Sequence, residues 1–303
     1  MRDTADFVVD ATGDGDFETV QAAVDAVPDF RENETTVFVA PGTYREKLVV
    51  PSTKTNVTLV GGDAAETVLT YDDYNGSENR FGEEMGTTES SSCFLFGDDF
   101  TVRNLTVRND AGRVGQAVAA RVDGDRAVFE NCRFVGNQDT LYVHGEDSRQ
   151  YYRDCYVEGT VDFVFGWATA VFDDCEVVCK GDSGYVTAAS TPEDDDFGLV
   201  FRDCEVTGDA SAESFYLGRP WRPHARTVFL NTYLGSHIRP EGWHNWDEPA
   251  KEETAFYAEY ENSGPGFTPD ERVDWAHQLD DEAAERYALD RIFDGWDPLE
   301  RLA

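Results

Sequence analysis

Lysine is nearly missing from this 303-residue chain: Lys47, Lys54, Lys180 and Lys251 are all there is, and arginine supplies the rest of the 25 basic residues. Against them stand 61 Asp and Glu, for a net charge of −36. So little positive charge argues against nucleic acid and anionic membranes as partners. The acidic residues run through the whole length, in GDGDFE, PEDDDF and DDEAAE among many single sites. Such a surface repels itself in dilute solution, and molar salt screens that repulsion within a few ångströms. The expectation is a protein from a halophilic archaeon or bacterium, with an ordinary acidic mesophilic protein as the alternative.

Other absences narrow the reading further. No run of 18 apolar residues occurs and MRDTADFVVD has no apolar export core, so no membrane or export segment is visible. That puts the chain in the cytoplasm by default, or outside the cell if a leader has been removed. No Pro/Gly/Ser-rich linker divides residues 1–303, which therefore read as one domain. The six cysteines form no paired CxxC site, which speaks against zinc. A GxSxG elbow is lacking, which weakens any serine nucleophile.

What is present is a repeat. An apolar residue, any residue, Asn or Asp, often Cys, any residue and an apolar residue recur in VRNLTV from Val102, FENCRF from Phe129, YRDCYV from Tyr152, FDDCEV from Phe172, FRDCEV from Phe201 and FLNTYL from Phe229. Irregular spacing of twenty-odd residues suits a solenoid whose coils differ in loop length. The units alternate apolar and polar residues with β-branched and aromatic enrichment, and no helical period separates them. A second strand follows each motif, at 116, 139, 162, 184 and 215. Strands without intervening helices predict an all-β parallel β-helix, with a repeat core over about 35–262 and the segment 263–303 packed on it. Cys132, Cys155, Cys175 and Cys204 share one motif position and are expected to stack inward as free thiols. DFETVQAAVDAVPD is read as a short helix capping the open end, with Asp16 as N-cap, PGTYRE as a turn and DDEAAERYALDRIF as helical.

Two carboxylates stand out against this background. Asp139 follows Phe129 by the same interval as Asp162 follows Tyr152. In a parallel stack equal register sets their backbones about 4.8 Å apart on one sheet face. Two such charges cannot both ionise cheaply, so one pKa rises and the pair holds an acid and a carboxylate together. Gln138 precedes Asp139, Gln116 begins the equivalent strand one coil earlier, and Arg219 lies on a later coil. Neutral amides can donate to a developing oxyanion and a guanidinium can orient one carboxylate, which suits acyl transfer. Carboxylates this close also suit a retaining glycosidase.

GQAVAARV, GNQDTLYVH, GTVDFVFGWATAVFDDC, YLGRPW and GWHNW, with the opening GDGDFETVQAAVDAVP and VAPGTYREKLVV, resemble the pectin methylesterases over roughly residues 7–275. The resemblance implies a single-stranded, right-handed, pectin-lyase-like solenoid. It also implies a carboxylic ester hydrolase that converts pectin and water to pectate and methanol through an aspartyl acyl-enzyme, without cofactor or metal. Carried over residue by residue, it makes Asp162 the nucleophile, Asp139 the proton donor, Gln138 and Gln116 the oxyanion stabilisers, and Arg219 the partner of Asp162. Thr88, Trp221, Trp243, Tyr142 and Phe163 join Gln116 and Arg219 as substrate contacts, whereas Trp246, Trp275 and Trp296 are expected to be structural. The partner implied is pectin or a methylated oligogalacturonide, met by a monomer. Still open are a β-helix lyase or glycoside hydrolase, an esterase for another acyl ester, and a carbohydrate-binding β-helix without catalysis.

Overall fold

The computed structural model describes residues 2–302. Its strands stack into three sheets of eleven, eight and seven strands, and every pairing between them is parallel. A typical coil runs from the first sheet to the second and then the third, as in Ala127–Glu130, Arg133–Val135 and Leu141–Val143. This is the parallel β-helix expected from the repeat.

The recurring motif occupies one register line of the first sheet. Val102, Phe129, Tyr152, Phe172, Phe201 and Phe229 lie opposite one another in successive coils. From Phe129 onward their rings form an interior stack, with centroids 4.4 to 4.7 Å apart and planes within 10° of parallel. Such contacts add to the burial of apolar area that holds the coils together. Register matters here, because a slip of one residue would turn every ring outward.

The next two motif positions explain the turn. Asn104, Asn131, Asp154, Asp174, Asp203 and Asn231 all have φ between 50° and 54°, the left-handed region that Asn and Asp tolerate best. The chain thereby bends from first sheet to second and brings the following residue inside. Cys132, Cys155, Cys175 and Cys204 are buried there, each thiol donating to a carbonyl of the preceding coil at 3.3 to 3.6 Å. Burial pushes the thiols of Cys155, Cys175 and Cys204 well up, so they stay protonated and unreactive.

Both ends of the stack extend beyond 35–262. Phe7–Val9 begins the first sheet and His277–Gln278 ends it. The capping helix is Val20–Ala26, with Val20, Ala23 and Val24 buried against the first coils. Its N-cap is Thr19, whose hydroxyl accepts from the Ala22 amide at 3.2 Å, and not Asp16, which is spent on the Val8 amide. The Glu46 carboxylate takes the amides of Val20 and Gln21, both at 2.9 Å, completing the helix start. PGTYRE contains a strand, Gly42–Arg45, where a turn was expected. At the far end the aromatic line stops at Glu259, opposite Phe229, which is fully buried and bound by Arg272 at 2.6 Å. The C-terminal segment breaks into Asp281–Ala284, Glu285–Tyr287 and Leu289–Ile292. It packs Tyr287, Ile292 and Phe293 on the outer face of the first sheet against Val128, Tyr151 and Val171.

Candidate active site

The third sheet carries the site on its outer face. Asp139 stands just before Leu141–Val143, and Asp162 just before Val164–Gly166, with Leu141 opposite Val164. The two aspartates are therefore level on adjacent coils, and the Asp139 amide donates to the Val161 carbonyl at 3.0 Å. Both are left-handed, with φ of 63° and 52°, so each ends its turn abruptly and starts a strand. The turn before Asp162 depends on Gly159: a Cβ there would lie 2.1 Å from the Phe163 Cβ and would displace the strand that Asp162 begins. Between the coils, the Thr140 hydroxyl lies 3.2 Å from the Asn137 carbonyl and 3.0 Å from that of Glu158.

Two glutamines and an arginine converge on the pair. Gln116 and Gln138 pair through an isolated parallel bridge. Strand register puts Ala120 opposite Leu141, so Val118 and not Gln116 is the positional equivalent of Asp139, and a bulge brings Gln116 level with Gln138. The strand at 184 is likewise displaced by one, since Val164 faces Thr187 and Tyr185 therefore follows Asp162 in the line. Arg219 comes from the end of Phe215–Gly218. It donates from Nε to Asp162 Oδ1 at 2.9 Å and from Nη2 to Oδ2 at 2.7 Å. Its guanidinium lies over the rings of Tyr185 and Trp246, 3.8 and 3.7 Å from the two centroids. Stacked faces of this kind contribute about 0.5–2 kcal/mol each and leave the fork aimed at the carboxylate.

The electrostatics separate the two acids. Burial pushes Asp139 well above the ordinary carboxylate range, and the neighbouring Asp162 charge pushes it further, against a smaller pull from Arg219 and the Gln138 amide. Asp162 is also raised by burial, but Arg219 opposes that through two hydrogen bonds and its charge. Asp139 is thus the member that keeps the shared proton, and Asp162 the member that ionises first.

The cleft above them holds about 360 Å³. Its floor is the carboxylate pair and both glutamines, and its walls include Thr88, Tyr142, Phe165, Trp221 and Trp246. Tyr142 and Phe165 stack with centroids 4.2 Å apart, and Trp221 leans on both at 6.4 and 6.0 Å. Two expected contacts lie elsewhere. Phe163 is fully buried in the solenoid core, because its side chain turns inward over Gly159. Trp243 is also interior, 4.6 Å from the Tyr257 ring, since it bridges Gly218 as one more rung of the third sheet. Trp246, three residues later with φ of 64°, faces the cleft instead of serving only the core. Nothing in GWHNW distinguishes its two tryptophans; the path of the chain does. Trp246 is steadied by Lys251, which is buried and bonds the carbonyls of Pro220 and Trp221 at 3.1 and 3.3 Å.

The Pectinesterase family model matches residues 6–295. Pectinesterase 31 of Arabidopsis thaliana is 41% identical over 285 residues, which span 91% of this chain and 88% of that protein. Putative pectinesterase 11 from the same plant is 37% identical, over 91% and 75% of the two chains. Among solved structures, a pectin methylesterase in complex with a hexasaccharide superposes with a TM-score of 0.86 at 30% identity, covering 97% of this chain and 98% of that one. The pectin methylesterase from carrot gives 0.87 at 31% identity, over 96% and 93%.

Proposed function

As a member of the pectinesterase family, this chain is a carboxylic ester hydrolase that demethylates pectin, and we propose that it does so through an acyl intermediate on Asp162. The Asp162 carboxylate attacks the carbonyl carbon of the methyl ester. Amides of Gln116 and Gln138 donate to the oxyanion of the tetrahedral species, where preorganised donors are most effective. As that species collapses, the C–O bond to methoxide breaks and Asp139 gives it the proton, releasing methanol and leaving an anhydride between Asp162 and the galacturonate. Asp139, now ionised, takes a proton from a water that attacks the galacturonate carbonyl carbon. Collapse of the second tetrahedral species returns Asp162 as carboxylate and frees the uronic acid.

The observation that carries this reading is the unequal treatment of two equivalent aspartates, one held by a bidentate arginine and the other not. An attacking carboxylate must be ionised, and a proton donor must not be. The aromatic walls supply flat apolar faces for sugar rings. Solvent salt enters as a further element: with a net charge of −36, the protein repels the pectate it makes. Screening at molar salt removes most of that repulsion, so activity rises with NaCl.

The test is one incubation with highly methylated pectin in high salt and chelator, following methanol, new reducing ends and unsaturated ends together. Methanol alone is expected. Asp162→Ala should lose methanol release by about 10⁴-fold or more while remaining folded. Retained turnover would remove Asp162 from the nucleophile's role, and full activity in dilute buffer with loss at molar salt would remove the salt requirement.

A further inference from the structure

The two glutamines at the site are held in different ways. Gln138 directly precedes Asp139, in the turn that leads into Leu141–Val143. Gln116 is reached from outside the coil stack, by the long connection between Thr67–Tyr71 and Cys93–Leu95. Within that connection residues 76–85 form a hairpin, closed by Gly76 to the Met85 carbonyl and by Met85 to the Ser77 carbonyl, both at 2.8 Å. Its base grips Gln116 at two points. The Asn75 backbone amide donates to the Gln116 carbonyl at 2.9 Å, and Asn75 Nδ2 donates to Gln116 Oε1 at 3.1 Å.

We infer that Asn75 is a positioning residue that fixes the face of the Gln116 amide, turning its Nε2 toward the oxyanion; this rests on the oxyanion role given to Gln116 above. A primary amide has one accepting end and one donating end, nearly equal in size, and a free glutamine can present either. Only the donating end stabilises an oxyanion. By occupying Oε1 with a donor, Asn75 leaves Nε2 for the cleft, and among the described residues nothing accepts from it. The residue type matters in a chain so rich in carboxylate. Asn75 follows Asp72 and Asp73, yet an aspartate at 75 has no proton to give and would attract Nε2, turning the oxygen toward the developing negative charge. The anchor of the loop itself is separate: Asn109 Nδ2 ties the carbonyls of Asp73 and Val118 at 2.9 and 3.0 Å, and the Asn75 backbone bond survives any side-chain change.

A double-mutant cycle tests this with the full chain on methylated oligogalacturonide. Asn75→Ala should lower kcat about tenfold, less than the roughly 10²-fold or greater loss from removing an oxyanion donor outright. N75D should lower it further, approaching the Gln116→Ala value, with KM and melting temperature little changed in both. In the Gln116→Ala background either Asn75 substitution should alter kcat less than about twofold, because no amide remains to orient. Equal losses in both backgrounds, or an unchanged kcat in Asn75→Ala, would overturn the positioning role while leaving Gln116 as oxyanion donor. A wild-type kcat in Gln116→Ala would instead remove the oxyanion role of Gln116, and the inference with it.

Discussion

Aspartate serves this protein in two turns that share one backbone conformation and differ in everything else. Between the first and second sheets, Asp154, Asp174 and Asp203 sit with φ near 52°, exposed, one above the other. Before the third sheet, Asp139 and Asp162 have the same left-handed backbone but are 8% and 6% exposed. In the outer line the side chain matters little, because asparagine fills the same place at 104, 131 and 231. In the inner pair the conformation only delivers the carboxylate, and burial, a like charge and an arginine turn it into chemistry. Solvent access separates a turn residue from a reactive group.

That contrast can be broken from the inner side first. Arg219→Gln leaves Asp162 buried without its fork, and kcat/KM should fall about 100-fold, the size expected for losing paired charge-assisted hydrogen bonds. Because the arginine charge lowers both aspartate pKa values, both limbs of the pH–rate profile should move to higher pH. An unmoved profile would mean that the cation does not set the ionisation of the pair.

Asp139→Asn sharpens the comparison through stability. The native pKa of Asp139 is raised, so the folded state binds the proton more tightly than the unfolded chain, and stability drops as pH climbs from the ordinary carboxylate value of 3.8 to the native one. The variant should be inactive yet melt higher than wild type at neutral pH, and the gain should shrink as the pH is lowered through the native pKa and be gone below about 4. A gain independent of pH would assign the effect to packing. The smallest effect belongs to the outer line. Asp174 is raised by partial burial and by Asp173, Asp154 and Asp203, so Asp174→Asn should raise the melting temperature slightly in dilute buffer, not in molar salt, with kcat unaltered.

Much of this was legible in the chain because a solenoid turns sequence period into spatial register. The aromatic positions from Phe129 to Phe229 and the cysteine line behind them were found from spacing alone, and so was the level placement of Asp139 and Asp162. The misplacements fall where the period is interrupted. Gln116 lies on the expected coil, but a bulge sets it level with Gln138 instead of Asp139. Asp16 lies ahead of the helix, whose N-cap is Thr19 and whose first residue is Val20. Phe163 and Trp243 were expected in the cleft, but inward and outward faces cannot be counted through a left-handed turn or an irregular loop.

The sequence by itself determined the coil repeat, the aromatic spine and the pairing of two acids, since each follows from residue type at a fixed interval. It also set the charge of −36, which no fold alters. Residue spacing left the two acids equivalent; the family resemblance pointed to Asp162 as the partner of Arg219, and the tertiary structure supplies the physical cause. Arg219 is 57 residues from Asp162 along the chain, and it reaches that carboxylate with its guanidinium over the rings of Tyr185 and Trp246. The difference in proton affinity arises from that contact and from burial, neither of which has a spacing to be read.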